Sequence, residues 1–475
     1  MNRQQRRAAA KSTRADDGGD IGRLRALAQS ALVQGNAREA SLLLKKLLKL
    51  TPSEGAAWRA LAKILMDGGQ LAEALATLTK ALTFVGEDAG LLTDLGLAQQ
   101  WSGRLDDAAA TFRRVVALAP AFPNANANLA GVLKEQGRLD ESLAVMRETV
   151  ARHPQDARAT FNLALLLLSL GRYEEGWDAY EARMRIPEVD VHTGFPQPQW
   201  DGGDISEKVL LVHAEQGLGD VIQFSRYLPM LGGRVKRLLF AVPPPLKALF
   251  QGLSGVDALL TGEGPPPSFD CHCPLLSLPR LLKTRQETIP AKVPYLACDD
   301  LRVAGMAERF AFLRDGGLKI GLVWAGDARA HDRQAHRMDQ QRSLPLAAFA
   351  PLGAVSRARF VSLQKGAAAI QVKTPPAGLR VFDPMPEIVD FADTAAMIAH
   401  LDLVITVDTA VAHLAGALGK PVWILSRFDA CWRWLRDRDD SPWYPTARLF
   451  RQSAPGEWGD VMRRVAQALV SVSDE

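Results

Sequence analysis

The sequence predicts an α-solenoid of stacked helix pairs followed by an α/β region of two lobes. Two observations predict this order. Gly35, Gly69, Gly103, Gly137 and Gly171 recur every 34 residues, and Leu27, Leu61, Leu95, Leu129 and Leu163 recur in the same register. After Lys208 this period gives way to short β-branched runs alternating with helical stretches and glycine-rich turns, the pattern of a doubly wound parallel sheet.

The ladder comes first. Each glycine opens a similar phrase, as in Gly103-Arg104-Leu105-Asp106-Asp107-Ala108 and Gly137-Arg138-Leu139-Asp140-Glu141-Ser142. Glycine suits the turn between antiparallel helices because it tolerates positive φ. Pro52, Pro120 and Pro154 close units, with Gly86 standing in once, since proline does not continue a helix. A period of this length means repeats, and this one resembles the tetratricopeptide pattern. One pair cannot bury its own apolar face, so stacking builds the core. Five repeats are placed over about residues 21–188, behind a basic tail at 1–20 that contains Arg3, Arg6, Arg7, Lys11 and Arg14.

Composition narrows the class. At 475 residues the chain exceeds one core. A net charge of +4, from 57 basic and 53 acidic residues, argues against nucleic acid or a membrane surface as the main partner. The tail has no apolar stretch of a secretory signal. The longest strongly apolar run, Leu163–Leu170, is too short to span a bilayer. The expected compartment is therefore the cytoplasm. Of the four cysteines, Cys271 and Cys273 flank His272, a spacing unsuited to a zinc knuckle. They read as reduced thiols at a strand end.

The α/β region divides into an N-terminal lobe, 189–306 with its linker, and a C-terminal lobe, 307–475. Expected strands include Val209–Val212, Leu238–Val242, Ile320–Trp324, Phe360–Leu363, Val381–Pro384, Leu403–Val407 and Val422–Leu425. Expected helices include Asp220–Leu231, Phe391–His400 and Ala410–Leu418. Gly262–Pro294 reads as irregular. Gly456–Val472 reads as an amphipathic helix suited to lie across the lobe junction. Ligands of such sheets bind outside the carboxyl ends of strands, so chemistry is sought in four turns.

The first, His213 to Asp220, contains Glu215, Gln216, Gly217 and Gly219. Its two glycines let backbone approach a ligand. Asp220 is equally a helix cap or a general base for an acceptor hydroxyl, with Glu215 a rival base. The missing third glycine speaks against a dinucleotide cofactor. The second turn, from Ala325 to Pro345, is a polar loop with Arg329, His331, Arg333, His336, Arg337, Arg342 and Ser343, suited to an anion. The third holds Gln364, Lys365 and Gly366, and lysine there can neutralise a phosphate. The fourth, Asp408-Thr409-Ala410, opens a small-residue helix whose N–H groups form an anion site. His413 follows about one turn inward. The aromatic stretch Asp429–Pro445 adds Trp432, Arg433 and Trp434 as acceptor- or donor-side candidates.

These turns, in this order, resemble the two-lobed glycosyltransferases of the heptosyltransferase-like kind, family 9 with the GT-B fold, and bacterial chains with tetratricopeptide repeats ahead of such a domain. The most specific stretch runs from Val407 to Pro421, and Gln216–Asp220 comes next. The resemblance implies a nucleotide-sugar donor held by the C-terminal lobe at Asp408, Thr409, Ala410 and Lys365, Asp220 as base, inversion at the anomeric carbon, and no metal or other cofactor. Family members typically have glycine where this chain has Ala410. The repeats would recruit a protein acceptor such as flagellin, or a surface glycan. The layout is similar to the eukaryotic O-GlcNAc transferases as well. The alternative is a non-catalytic repeat scaffold whose transferase-like domain is degenerate or serves as a nucleotide sensor. An epimerase on a similar fold leaves the repeats without a role.

Overall fold

The computed structural model describes residues 19–122, 124–189, 191, 194–262, 264, 266–308, 310, 316–327 and 333–473. Residues 1–18 of the basic tail, Arg329 and His331 lie outside them. Two compact units form, 1–152 and 153–475.

The first unit is all helix: α1 (19–33), then α2 (Ala37–Leu50), α3 (Gly55–Asp67), α4 (Leu71–Val85), α5 (Ala89–Trp101), α6 (Leu105–Leu118), α7 (Ala125–Glu135) and α8 (Leu139–Arg152). These are four antiparallel pairs. The turn glycines adopt positive φ, from 71° at Gly35 to 80° at Gly137, as the ladder requires. Alanines let the helices approach: Ala40, Ala62, Ala74, Ala98 and Ala108 are completely buried. Asn36 and Asp88 cap α2 and α5 by accepting from Glu39 N and Leu91 N.

The second unit begins with the fifth pair, α9 (Ala157–Ser169) and α10 (Tyr173–Tyr180), which ends in a 3₁₀ turn, Glu181–Arg185. The N-terminal lobe carries β1 (Ile205–His213), α11 (Leu218–Phe224), β2 (Val235–Ala241), β3 (Ala258–Leu260), β4 (Cys271–Pro274) and the short α12 (Leu278–Leu281). Its strand order is β3-β2-β1-β4, all parallel. After α13 (Asp300–Ala307) the C-terminal lobe follows: β5 (Leu318–Val323), α14 (Arg333–Arg342), β6 (Ala358–Ser362), β7 (Val381–Phe382), α15 (Phe391–Ala399), β8 (Leu403–Val407), α16 (Ala410–Ala417), β9 (Val422–Ser426), β10 (Ala447–Arg451) and α17 (Trp458–Ser473). Its order is β10-β9-β8-β5-β6-β7, again all parallel.

Several expectations are corrected. The helix from Asp220 is α-helical only to Phe224; Ser225–Leu231 is 3₁₀ and contains Pro229, which withholds an N–H from the ladder. Cys271 opens β4 at its strand end as expected, while Cys273 lies inside the strand, and both thiols are free and buried. The stretch read as irregular therefore contains a strand. Part of the expected polar loop, Arg333–Arg342, is α14. The last helix buries Val461, Met462, Val465 and Leu469 with Leu346, Phe349 and Leu352 in the C-terminal lobe, not across the junction. No helix among the described residues is long and apolar enough to cross a membrane.

Candidate functional site

Each sheet reverses its strand order at one point, and that crevice is where open α/β sheets take ligands. In the C-terminal sheet it lies between β5 and β8. In the N-terminal sheet it lies between β1 and β4. The turns after β1 and β8, which carry Glu215–Asp220 and Asp408–Ala410, meet each other. A Cβ built on Gly219 would stand 3.3 Å from Ala410 Cα and 2.9 Å from His413 Cδ2. Only glycine allows the N-termini of α11 and α16 to come this close.

Asp220 is third in α11 and is not its cap. Its Oδ2 accepts from the backbone N–H of Gly217, the capping residue, at 3.0 Å. Its Oδ1 accepts from Arg433. Arg433 also donates to Gln223 Oε1 at 2.7 Å, and its guanidinium lies 4.3 Å over Trp432. Burial works most strongly against its charge, but Asp220 first, then Cys431, Tyr180 and Asp408, together raise its pKa. Beside it, Arg226 is buried among Tyr295, Trp443 and Tyr444, with ring distances of 4.6, 5.5 and 4.5 Å, and donates to the Trp443 carbonyl at 2.6 Å. This cation ties the N-terminal lobe to the C-terminal one.

In the C-terminal lobe, Thr409 caps the backbone of α16 in extended conformation, and its Oγ1 lies 3.1 Å from Thr406 Oγ1. The leading N–H groups of α16 lack intrahelical acceptors. Arg342 donates to the Asp408 carbonyl at 2.9 Å, fixing the turn by its backbone and leaving the carboxylate aside. Ser343 Oγ accepts from Gly326 N at 3.0 Å. His413 is buried, stacks on Trp434 at 5.4 Å, and its Nδ1 is 2.9 Å from Tyr444 Oη. Burial first, then Arg433 and Arg226, pushes its pKa well below the ordinary range. His413 is therefore a neutral ring at pH 7.

Other named residues lie apart or are occupied. Gln364 is buried and bridges the ends of β5 and β6: its Oε1 accepts from Trp324 N and Ala325 N at 3.0 and 2.9 Å. Lys365 donates to the Ile388 carbonyl. Glu215 is buried in an ion pair with Arg183, and Gln216 is hydrogen-bonded to Tyr180. Trp432 is 4% exposed, with Trp177, Trp443 and Tyr180 around it. Among the described residues there is no cluster of three or more His, Cys, Asp or Glu side chains able to hold a metal ion.

Tyr180 and Arg183 escaped the sequence reading, yet a signal existed. Nine residues after the turn glycine the repeats have Leu44, Leu78, Phe112 and Met146, then Tyr180. Twelve after it they have Leu47, Ala81, Val115 and Thr149, then Arg183. A charged residue in a register otherwise small or aliphatic announces an unusual neighbour.

Residues 25–90 and 101–159 match models of the tetratricopeptide repeat, and residues 385–425 match the model of glycosyltransferase family 9 (heptosyltransferase). These matches fit a tetratricopeptide-repeat glycosyltransferase. The family 9 segment holds β8, α16 and the Asp408-Thr409 turn. The chain is 30% identical over 319 residues to Protein FlbA of Caulobacter vibrioides, an alignment covering 62% of this chain and 52% of that protein; it thus spans about half the length of this relative. Among solved structures, MamA is 22% identical, covering 34% of this chain and 93% of that one with a TM-score of 0.31. YrrB, described as a TPR protein with an unusual peptide-binding site, is 21% identical, covering 34% of this chain and 84% of that one with a TM-score of 0.29.

Proposed function

We propose that the second unit transfers a sugar from a nucleotide sugar to an acceptor hydroxyl, with inversion and without a metal ion. One observation carries this reading: the turns at the two switch points converge, Asp220 on one and the open N-terminus of α16 on the other. Asp220 would accept the hydroxyl proton as the oxygen attacks the anomeric carbon. The nucleoside diphosphate would leave onto the N–H groups of Ala410 and Val411, with Thr409 and Lys365 beside it and Asp408 and His413 shaping the pocket. Arg433 would give up Asp220 when the donor arrives. The acceptor would be a protein, such as flagellin, or a surface glycan, recruited by the repeats in the cytoplasm.

The test is a thermal-shift panel of the purified chain with UDP, GDP, ADP, CMP and their common sugars. A shift with one nucleotide, lost in Asp408→Ala, supports the donor site; a ligand at one hundred times its Kd adds about 2.7 kcal/mol. Asp220→Asn should keep that shift and lose transfer. No shift with any nucleotide would favour the scaffold reading.

A further inference from the structure

The crevice between the ends of β1 and β4 is filled from the fifth helix pair. Arg183 donates from Nε and Nη2 to both carboxylate oxygens of Glu215 at 2.9 and 2.8 Å, and both side chains are 0% exposed. The same Nη2 reaches Ser277 Oγ, just beyond β4, at 2.9 Å. Glu215 Oε1 accepts from Leu276 N at 2.9 Å. One residue on, Gln216 has φ of 61°, a left-handed conformation that costs a residue with a Cβ and persists only where neighbours over-determine it. The neighbour is Tyr180, whose hydroxyl accepts from Gln216 Nε2 at 3.0 Å.

A second arm reaches the other side of Asp220. Trp177 and Tyr180 meet the ring of Trp432 edge-on, at 5.4 and 6.5 Å between centroids. Trp432 in turn carries the Arg433 guanidinium that holds Asp220. The turn before Asp220 and the cation on it therefore both rest on α10.

We propose that the fifth helix pair belongs to the transfer site, with Tyr180 and Arg183 as positioning residues that hold the Glu215–Asp220 turn and, through Trp432, Arg433. The inference deepens the transferase reading and rests on Asp220 as the base. Its test uses the full chain, with Tyr180→Phe, which removes one hydroxyl from a ring that stays packed, and Arg183→Lys, which keeps the charge and loses the fork. Hydrogen exchange over residues 214–224 is compared with exchange over β8 and α16. Turnover is measured from pH 5 to 9 with whichever UDP-, GDP-, ADP- or CMP-sugar shifts the wild-type melting point. In Tyr180→Phe, exchange at 215–220 should rise at least fivefold with β8 and α16 unchanged. Its kcat should fall at least tenfold while KM for the nucleotide sugar stays within twofold, and the acid limb of the rate profile should move. Arg183→Lys should change the same quantities in the same direction. Unchanged exchange and unchanged kcat in Tyr180→Phe would overturn the inference, as would a raised KM with kcat intact. If the wild-type chain binds and turns over no nucleotide sugar, the transferase reading fails by itself, and exchange alone then decides whether α10 braces the turn.

Discussion

In the first four helix pairs, the charged residues face water and bridge neighbouring helices: Lys45 to Glu73 at 3.0 Å, Arg59 to Asp94 at 2.6 Å. In the fifth pair the arginine of the second helix is inside, bound to a carboxylate that is equally buried. The aromatic content changes as well. Tyr173, Trp177 and Tyr180 are each at most 2% exposed and join one core with Phe224, Trp432 and Trp443. A repeat whose neighbours are other repeats is filled mainly by small and aliphatic residues, with Trp58 and Phe112 as buried exceptions, because similar faces stack. A repeat whose neighbour is an α/β unit must match a foreign surface, and large rings and a forked cation supply that match. Periodicity thus identifies the helices, and departures from it identify what they touch.

Removing one partner from each kind of ion pair gives the widest separation. Arg183→Met leaves the Glu215 carboxylate buried without its counter-ion, and the second unit should lose about 3–5 kcal/mol. Arg59→Ala breaks a pair whose side chains are 45% and 21% exposed, and the first unit should lose at most about 1 kcal/mol. Urea titration read by methionine oxidation separates the units, with Met66 and Met146 reporting the first and Met397 and Met462 the second, all of them buried. Comparable losses at both sites would erase the distinction between the pairs.

A smaller effect, of opposite sign in the two regions, comes from one substitution made twice. Gly176 in α10 faces α9 so closely that an added Cβ would lie 2.7 Å from Leu168 Cδ2. Gly176→Ala should cost about 1–3 kcal/mol through overpacking. Gly131 lies inside α7 with nothing within 4 Å of an added Cβ. Gly131→Ala should stabilise the first unit by up to about 1 kcal/mol, because alanine favours the helix. Melting points of the two variants should move in opposite directions.

What was legible follows from how locally each feature is encoded. The turn glycines announce themselves because the conformation they adopt is one that other residues avoid. Leu403–Val407 reads as a buried strand and is one, residue for residue. By contrast, β4 is Cys-His-Cys-Pro and has no β-branched residue; its place beside β1 is decided by pairing. In β10 two arginines hide the pattern, although Arg448 lays its guanidinium over Phe450 at 4.7 Å and Trp423 at 5.7 Å and so covers apolar surface. At the site, Asp220 and Asp408 stood out because each follows a strand and opens a helix. Arg433, 213 residues from Asp220 in the chain, stood out only as part of an aromatic run. Nothing local couples the two, and their meeting depends on how the lobes close.

The last contrast is in protons. Residues 1–152 contain no histidine, and all eight histidines lie from His153 onward. Burial and the charges of Arg433 and Arg226 hold His413 neutral, with its pKa well below the ordinary 6.5. As pH falls through about 6.5, the unfolded chain takes up a proton that folded His413 refuses. The unfolded state then binds more protons, so stability falls with pH, down to the lowered pKa of the folded form. The second unit should therefore lose up to about 1.4 kcal/mol per pH unit from this group between pH 6.5 and 5, with the first unit nearly flat over the same range. Methionine-oxidation urea curves at pH 7, 6 and 5 check this in both units at once. His413→Phe keeps a ring against Trp434 and has no proton to take up, so it should flatten the dependence of the second unit. A slope that survives this substitution would assign the proton uptake to a different group, and a slope shared by the first unit would remove histidine from the explanation.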